Sequence, residues 1–218
     1  MMTDQKTPAN PRGLKKRLFG LLLGLAAGYA AATSATQFIN SDVVGGLGKS
    51  ASIATLVAVL YALIGLGVGL GAASPKVGAH FLNVEDADEL REQKKVLVFS
   101  GFGMTLLGLA LFALALAAPD GPLPPGAALA LGGGGLVLGT ALSIPAYRMS
   151  DELMRAINLE GGALSFGLTV AIVGGWAMFA HLGYAAAPAP LDLLTLFYAI
   201  IMIASFIAVG RRGMLKPR

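Results

Sequence analysis

Residues 53–73 read IATLVAVLYALIGLGVGLGAA, 21 positions without a charge, with Lys49 before them and Pro75-Lys76 after them. At a helical rise of about 1.5 Å per residue, this stretch matches the roughly 30 Å hydrocarbon core of a bilayer. Working outward, five further runs have the same character: Leu18 to Phe38, Val96 to Ala118, Ala127 to Tyr147, Ala163 to Tyr184 and Leu193 to Gly210. All six are uncharged and 18 to 23 residues long. The expectation is an all-α, polytopic integral membrane protein: a bundle of six transmembrane helices over 18–210, with a basic segment 1–17 before it and a basic tail 211–218 after it.

Composition agrees. Of 218 residues, 56% are hydrophobic and 13% are charged, against roughly 25% charged in soluble domains. A compact body with so little polar surface needs the bilayer as its solvent. There is no Cys, so disulfides, thiolate metal sites, iron–sulfur ligation and cysteine nucleophiles are excluded together, and the redox compartment is left undetermined.

Charge distribution sets the expected orientation, because Lys and Arg are retained on the cytoplasmic side during insertion. Fifteen of the 16 cations fall in the N-terminal segment, the 74–95 loop, the 148–155 loop and the tail; Lys49 alone falls in the alternate loops. Both termini are therefore expected in the cytoplasm, and the short loops resemble those of a bacterial cytoplasmic (inner) membrane protein. An alternative treats Lys15, Lys16 and Arg17 with the following apolar run as a cleavable signal peptide, but that run exceeds the usual h-region of about 7 to 15 residues. The basic tails read as topology determinants near anionic headgroups, not as a nucleic-acid site, since no aromatic residues interleave their cations.

Two cytoplasmic loops lead into similar text. Asp88-Glu89-Leu90-Arg91 precedes Phe102-Gly103-Met104-Thr105, and Asp151-Glu152-Leu153-Met154 precedes Phe166-Gly167-Leu168-Thr169. The spacing suggests a parallel two-helix repeat in which spans two and three correspond to spans four and five. Asp86 or Ser150 is expected to cap the following helix, with acids in its first turn and Asp151 paired to Arg155 four residues on. Helices three and five are then expected to begin one or two turns outside the membrane. A divalent-cation site built from the acids at 85–92 with Asp151, Glu152 and Glu160 is the less favoured reading; solvated caps and a docking surface formed by Asp88, Glu89, Arg91, Asp151, Glu152 and Arg155 are preferred. No metal and no cofactor is expected. His80 has no second His or Cys near it, and His181 reads as an interfacial residue.

Inside the spans, small residues form stripes that permit close helix approach. The packing candidates are Gly20, Gly24 and Gly28 in the first span, Gly65 and Gly69 in the second, and Gly135 and Gly139 in the fourth. Polar residues within spans are limited to hydroxyls and a few others, the hydroxyls including Ser143, Thr195, Tyr61 and Tyr198. Without intramembrane Asp, Glu, Lys or Arg, ion-coupled transport loses its usual groups. Ser100, Thr105, Ser165 and Thr169 are the candidate pore or substrate hydroxyls. Pro145 is expected to kink the inner end of span four.

No catalytic elbow, zinc-protease pair, phosphate loop or dinucleotide fingerprint can be assembled. The favoured function is a non-catalytic accessory, assembly or scaffolding subunit, with the bilayer and a membrane-protein partner or second copy as its contacts. The alternative is a transporter or channel for a small neutral or hydrophobic solute. An intramembrane enzyme acting on lipid is a third, weaker class.

Overall fold

The computed structural model describes residues 11–44, 46–82, 84, 86–117, 119 and 121–215, with side chains from residue 20 onward except residue 21. Lys6, Glu85, Lys216 and Arg218 lie outside that set, as do the side chains of Arg12, Lys15, Lys16 and Arg17, with the expectations resting on them. Six helices are long and apolar enough to cross a membrane. No strand occurs among the described residues; Ala117 and Leu123 form one isolated bridge.

The six are α1 (Pro11–Ile39), α2 (Lys49–Ala73), α5 (Lys94–Ala115), α6 (Pro125–Met149), the composite helix that begins with α7 (Glu152–Thr169), and α9 (Pro190–Arg211). Two short helices, α3 (Pro75–Gly78) and α4 (Ala87–Glu92), lie between α2 and α5. The composite helix continues from α7 through a π-helical turn, Val170–Gly174, into α8 (Gly175–His181). Prolines open α6 and α9, where the missing N–H costs nothing. Asp192 adds a carboxylate that accepts the Ala189 N–H at 2.9 Å. Past α8 the chain turns at Gly183 with φ +79°, a left-handed conformation that a side chain would resist. Pro145 does not end α6, which runs on to Met149.

At the centre is α5, with a different glycine seam on each side. Toward α2 it presents Gly101, Thr105 and Gly108. A Cβ added at Gly101 would lie 2.5 Å from the Gly69 nitrogen, and one at Gly65 would lie 2.6 Å from the Gly101 carbonyl oxygen. Toward α6 it presents Gly103 and Ala110: a Cβ at Gly139 would sit 2.9 Å from the Gly103 oxygen, and one at Gly135 the same distance from the Ala110 Cβ. Close backbone approach replaces the hydrophobic drive that lipid does not supply. The α2–α5–α6 layer is therefore built from the small residues expected at Gly65, Gly69, Gly135 and Gly139.

The first-span stripe behaves differently. Gly20 lies near Phe81, whose oxygen would be 3.7 Å from an added Cβ, but Gly24 and Gly28 face no neighbour among the described residues. Helix α1 packs on α2, and its far end brings Phe38 within 5.8 Å of the Phe112 ring. Across the layer lies α9, packed on α2 and touching α5, while α7 lies along α9.

The charged segment after α2 is folded. Leu90 is fully buried against Ala72 and Val84, so α3 and α4 form a plug beneath the end of α2. Its sequence mixes one essential apolar residue among acids and bases. The expected long third helix is thus divided at Gln93 into α4 and α5, whereas α7 does begin with charged turns as expected.

The two copies of the suggested repeat occupy unlike environments. In the first, Gly103 is tight against α6 and Thr105 is buried in the α2 seam; in the second, Gly167 faces open space and Phe166 is exposed. Helices α2 and α5 pack along their length, while α6 and α7 share no extended interface.

Candidate functional site

Alternation of the spans puts the described cations Lys76, Arg91, Lys94, Lys95, Arg148, Arg155, Arg211 and Arg212 at one end of the bundle, and Lys49 at the other. Gly20 beside Phe81 places the start of α1 at the same cationic end. Three features of that end are candidates for function.

The first is the capped, charged surface. Asp86 caps α4 by accepting the N–H groups of Asp88 and Glu89, both at 2.9 Å. For α7 the cap is Asp151, which accepts the Met154 N–H at 2.7 Å. Ser150, the residue expected there, instead donates to the Ala146 oxygen at 2.9 Å. Carrying the cap on Asp151 commits its carboxylate locally, and the expected Asp151–Arg155 pair does not form. Arg155 donates from Nη2 to the Arg148 carbonyl at 2.9 Å, and Arg91 pairs with Asp88. Asp88, Arg91, Asp151, Glu152 and Arg155 are exposed, and Glu89 is half-buried.

The second is a clamp. Glu160, two turns into α7, receives Arg211 at 3.4 Å and Arg212 at 3.2 Å from the end of α9. These charges are 51 and 52 residues apart in sequence, so no local pattern announces them. Along α7, Glu160 stands about 12 Å by helical rise from Glu152 and about 13.5 Å from Asp151. No group of three metal-ligating acids or His occurs among the described residues.

The third is a fissure between the α2–α5–α6 layer and the α7–α9 pair. One part is a cavity of about 380 Å³ bounded by α5, α6 and the first turns of α7; Ser100, Met104, Ser143, Tyr147 and Asn158 line it. An adjoining groove of about 350 Å³ lies between α2, α5 and α9, against Tyr61, Met202 and Phe206. Met104 lines both. Counting the helical rise from Lys94, Ser100 lies about 9 Å and Met104 about 15 Å inward, so the fissure reaches from the interface to mid-membrane. There it closes. Tyr61 donates its hydroxyl to the Tyr198 carbonyl at 2.7 Å, Tyr198 donates to the Leu107 carbonyl at 3.1 Å, and the two rings meet edge-on at 5.0 Å.

The four candidate hydroxyls are not gathered into one cavity. Ser100 lines the fissure and donates to the Val96 oxygen at 2.8 Å. Thr105 is buried in the α2–α5 seam and donates to the Gly101 oxygen at 2.9 Å. Ser165 donates to the Gly162 oxygen at 2.9 Å, and Thr169 is half-buried just before the π turn. Local back-bonding of this kind is the ordinary fate of a helix hydroxyl. The polar rim residues Tyr147 and Asn158 were not singled out from sequence; the signal available was the four-residue step from Met154 to Asn158 on an otherwise charged helix start.

The class that fold and site define is an all-helical, multi-pass membrane protein with six candidate spans. Comparison of the chain with protein-family models, with curated proteins and with solved structures gave no match in any of the three.

Proposed function

We propose that this chain is a non-catalytic accessory, assembly or scaffolding subunit of a larger membrane complex. In this reading it sits in a bacterial cytoplasmic membrane with both termini on the cytoplasmic side. The cation asymmetry supports that orientation. The observation that carries the subunit reading is the composite helix: no residue from 162 to 189 is buried within the chain. Its Gly162, Gly167, Gly174 and Gly175 have nothing within 4 Å of an added Cβ, and the same holds for Gly133 and Gly134 on α6. Flat glycine surfaces of this kind are what α5 uses to meet α2 and α6 inside the chain. Their recurrence on outward faces fits attachment to another membrane protein.

Reversing Glu89, Arg91, Glu152 and Arg155 together tests this reading. The expected outcome is loss of a stoichiometric partner on gentle extraction, with the helix content and elution volume of the chain unchanged. Unchanged recovery of the partner contradicts docking through these loops.

A second reading, passage of a small neutral or hydrophobic solute, draws support from the fissure at the cationic end. In that reading the tyrosine contacts at mid-membrane are a closed gate, and extraction yields no partner to release.

A further inference from the structure

We propose that the fissure is a binding site for one anionic phospholipid drawn from the leaflet at the cationic end. Helices α6 and α7 are joined by Ser150 and Asp151 yet share no extended interface, so the cavity between them opens sideways toward lipid and not into a protein core. Its lining then changes with depth. Tyr147, Asn158 and Ser150 stand near the helix ends, where headgroups lie; Met104 and Leu107 stand toward mid-membrane, where hydrocarbon lies. A ligand matched to that gradient is polar at one end and apolar at the other.

The depth of the apolar part suits an acyl chain. Met104 joins the cavity to the groove along α9, where Met202 and Phe206 extend the apolar surface. Methionine side chains are unbranched and adapt to irregular chains. The floor at Tyr61, Tyr198 and Leu107 is satisfied by its own hydrogen bonds and presents no unpaired polar group to the chain end.

Charge at the rim selects the headgroup. The Arg155 Nη2 sits 2.9 Å from the Arg148 carbonyl, and residues 147 and 150 on either side of that carbonyl both line the cavity. One guanidinium is therefore fixed at the mouth with further donors exposed, and Arg148 belongs to the same turn. Arg155 is not paired with the acids of its own helix: Asp151 accepts the Met154 N–H, and Glu160 pairs with Arg211 and Arg212. Basic pockets between transmembrane helices on the cytoplasmic side are the usual place for phosphate headgroups.

The test uses the full chain purified in detergent and examined by native mass spectrometry against three probes: phosphatidylglycerol, phosphatidylcholine with the same acyl chains, and glycerol 3-phosphate. One phosphatidylglycerol per chain is expected to be retained in preference to phosphatidylcholine, with glycerol 3-phosphate not retained. Filling the cavity with Ser100→Phe and Ser143→Phe should reduce phosphatidylglycerol retention to background. Should that double variant fail to fold, the exposed Arg155→Gln carries the test alone: it should weaken phosphatidylglycerol about fivefold and leave phosphatidylcholine unchanged. Equal retention of the two lipids, or undiminished retention by either folded variant, overturns the proposal. Retention of glycerol 3-phosphate as strong as that of the lipid overturns it in favour of a soluble phosphate ester.

Discussion

Gly101→Val is expected to destabilise the bundle by about 3 kcal/mol, enough to shift the folded-to-unfolded ratio more than a hundredfold. At this position an added Cβ would lie 2.5 Å from the Gly69 nitrogen, 2.7 Å from the Gly69 Cα and 2.8 Å from the Gly65 carbonyl oxygen. All three are backbone atoms, so no side chain can swing aside and the two helices must separate. Separation also strains the seam on the other side of Thr105, where a Cβ at Gly108 would be 2.8 Å from the Ala58 oxygen. In lipid the loss is one of packing and dispersion, not of hydrophobic transfer. The measurement is unfolding by a rising mole fraction of sodium dodecyl sulfate in mixed micelles. Gly133→Val, on a face with nothing within 4 Å, is the control and should leave the midpoint nearly unmoved. Equal loss in the two variants would show that valine acts through the helix itself, and the seam account would fail.

Tyr198→Ala is the second large effect, because this side chain ties α9 to both α2 and α5. Its ring packs on Tyr61 and its hydroxyl reaches the Leu107 carbonyl of α5, while its backbone carbonyl, which alanine keeps, receives the Tyr61 hydroxyl. Removing only the hydroxyl, in Tyr198→Phe, should cost about 0.6 kcal/mol, the usual worth of one interhelical hydrogen bond in a membrane. Removing the ring should cost about 3 kcal/mol and open the mid-membrane closure. Because the chain contains no Cys, a single Met104→Cys reports that opening. With Tyr198 present, its thiol lies at the apolar depth of the fissure and should be inert to membrane-impermeant aqueous reagents from either end; with Tyr198→Ala it should react with reagent added at the end opposite the cationic one. Reaction from that end with Tyr198 intact would mean that the tyrosines do not close the fissure.

Much of this architecture is legible in the sequence, for a physical reason. Span length and freedom from charge are local properties, so each of the six apolar runs falls within or largely within an observed helix, with Leu18 to Phe38 inside Pro11–Ile39 and Leu193 to Gly210 inside Pro190–Arg211. The composite helix is longer than its apolar run, starting at Glu152, because the charged first turns are helical too. What the sequence withholds is pairing. Core and lipid are both apolar, so a span's pattern does not reveal which face meets protein, and Gly24 looks the same as Gly65 until one is seen in open space and the other against Gly101 and Thr105. Leu90 is a single buried leucine among charges, too short a signal to announce the plug beneath α2. The Glu160 clamp, the tyrosine closure and the fissure rim join residues far apart in sequence. The cap on α7 misses the expected Ser150 by one residue, because that hydroxyl is satisfied by the preceding turn and the next side chain, Asp151, takes its place. The π turn coincides with Gly174-Gly175 after three β-branched residues, Val170, Ile172 and Val173, a combination that favours irregular winding without dictating it.

The glycine seams inside the chain and the open glycine faces outside it make the same physical statement, that this protein is built for close helix contact. The most direct test is the composition of the particle taken from its native membrane in polymer-bounded lipid discs, without detergent, and weighed by native mass spectrometry. A second polypeptide at fixed ratio to the 22.2 kDa chain is the result predicted for a subunit. A particle holding this chain and lipid alone, whether one copy or several, would contradict it.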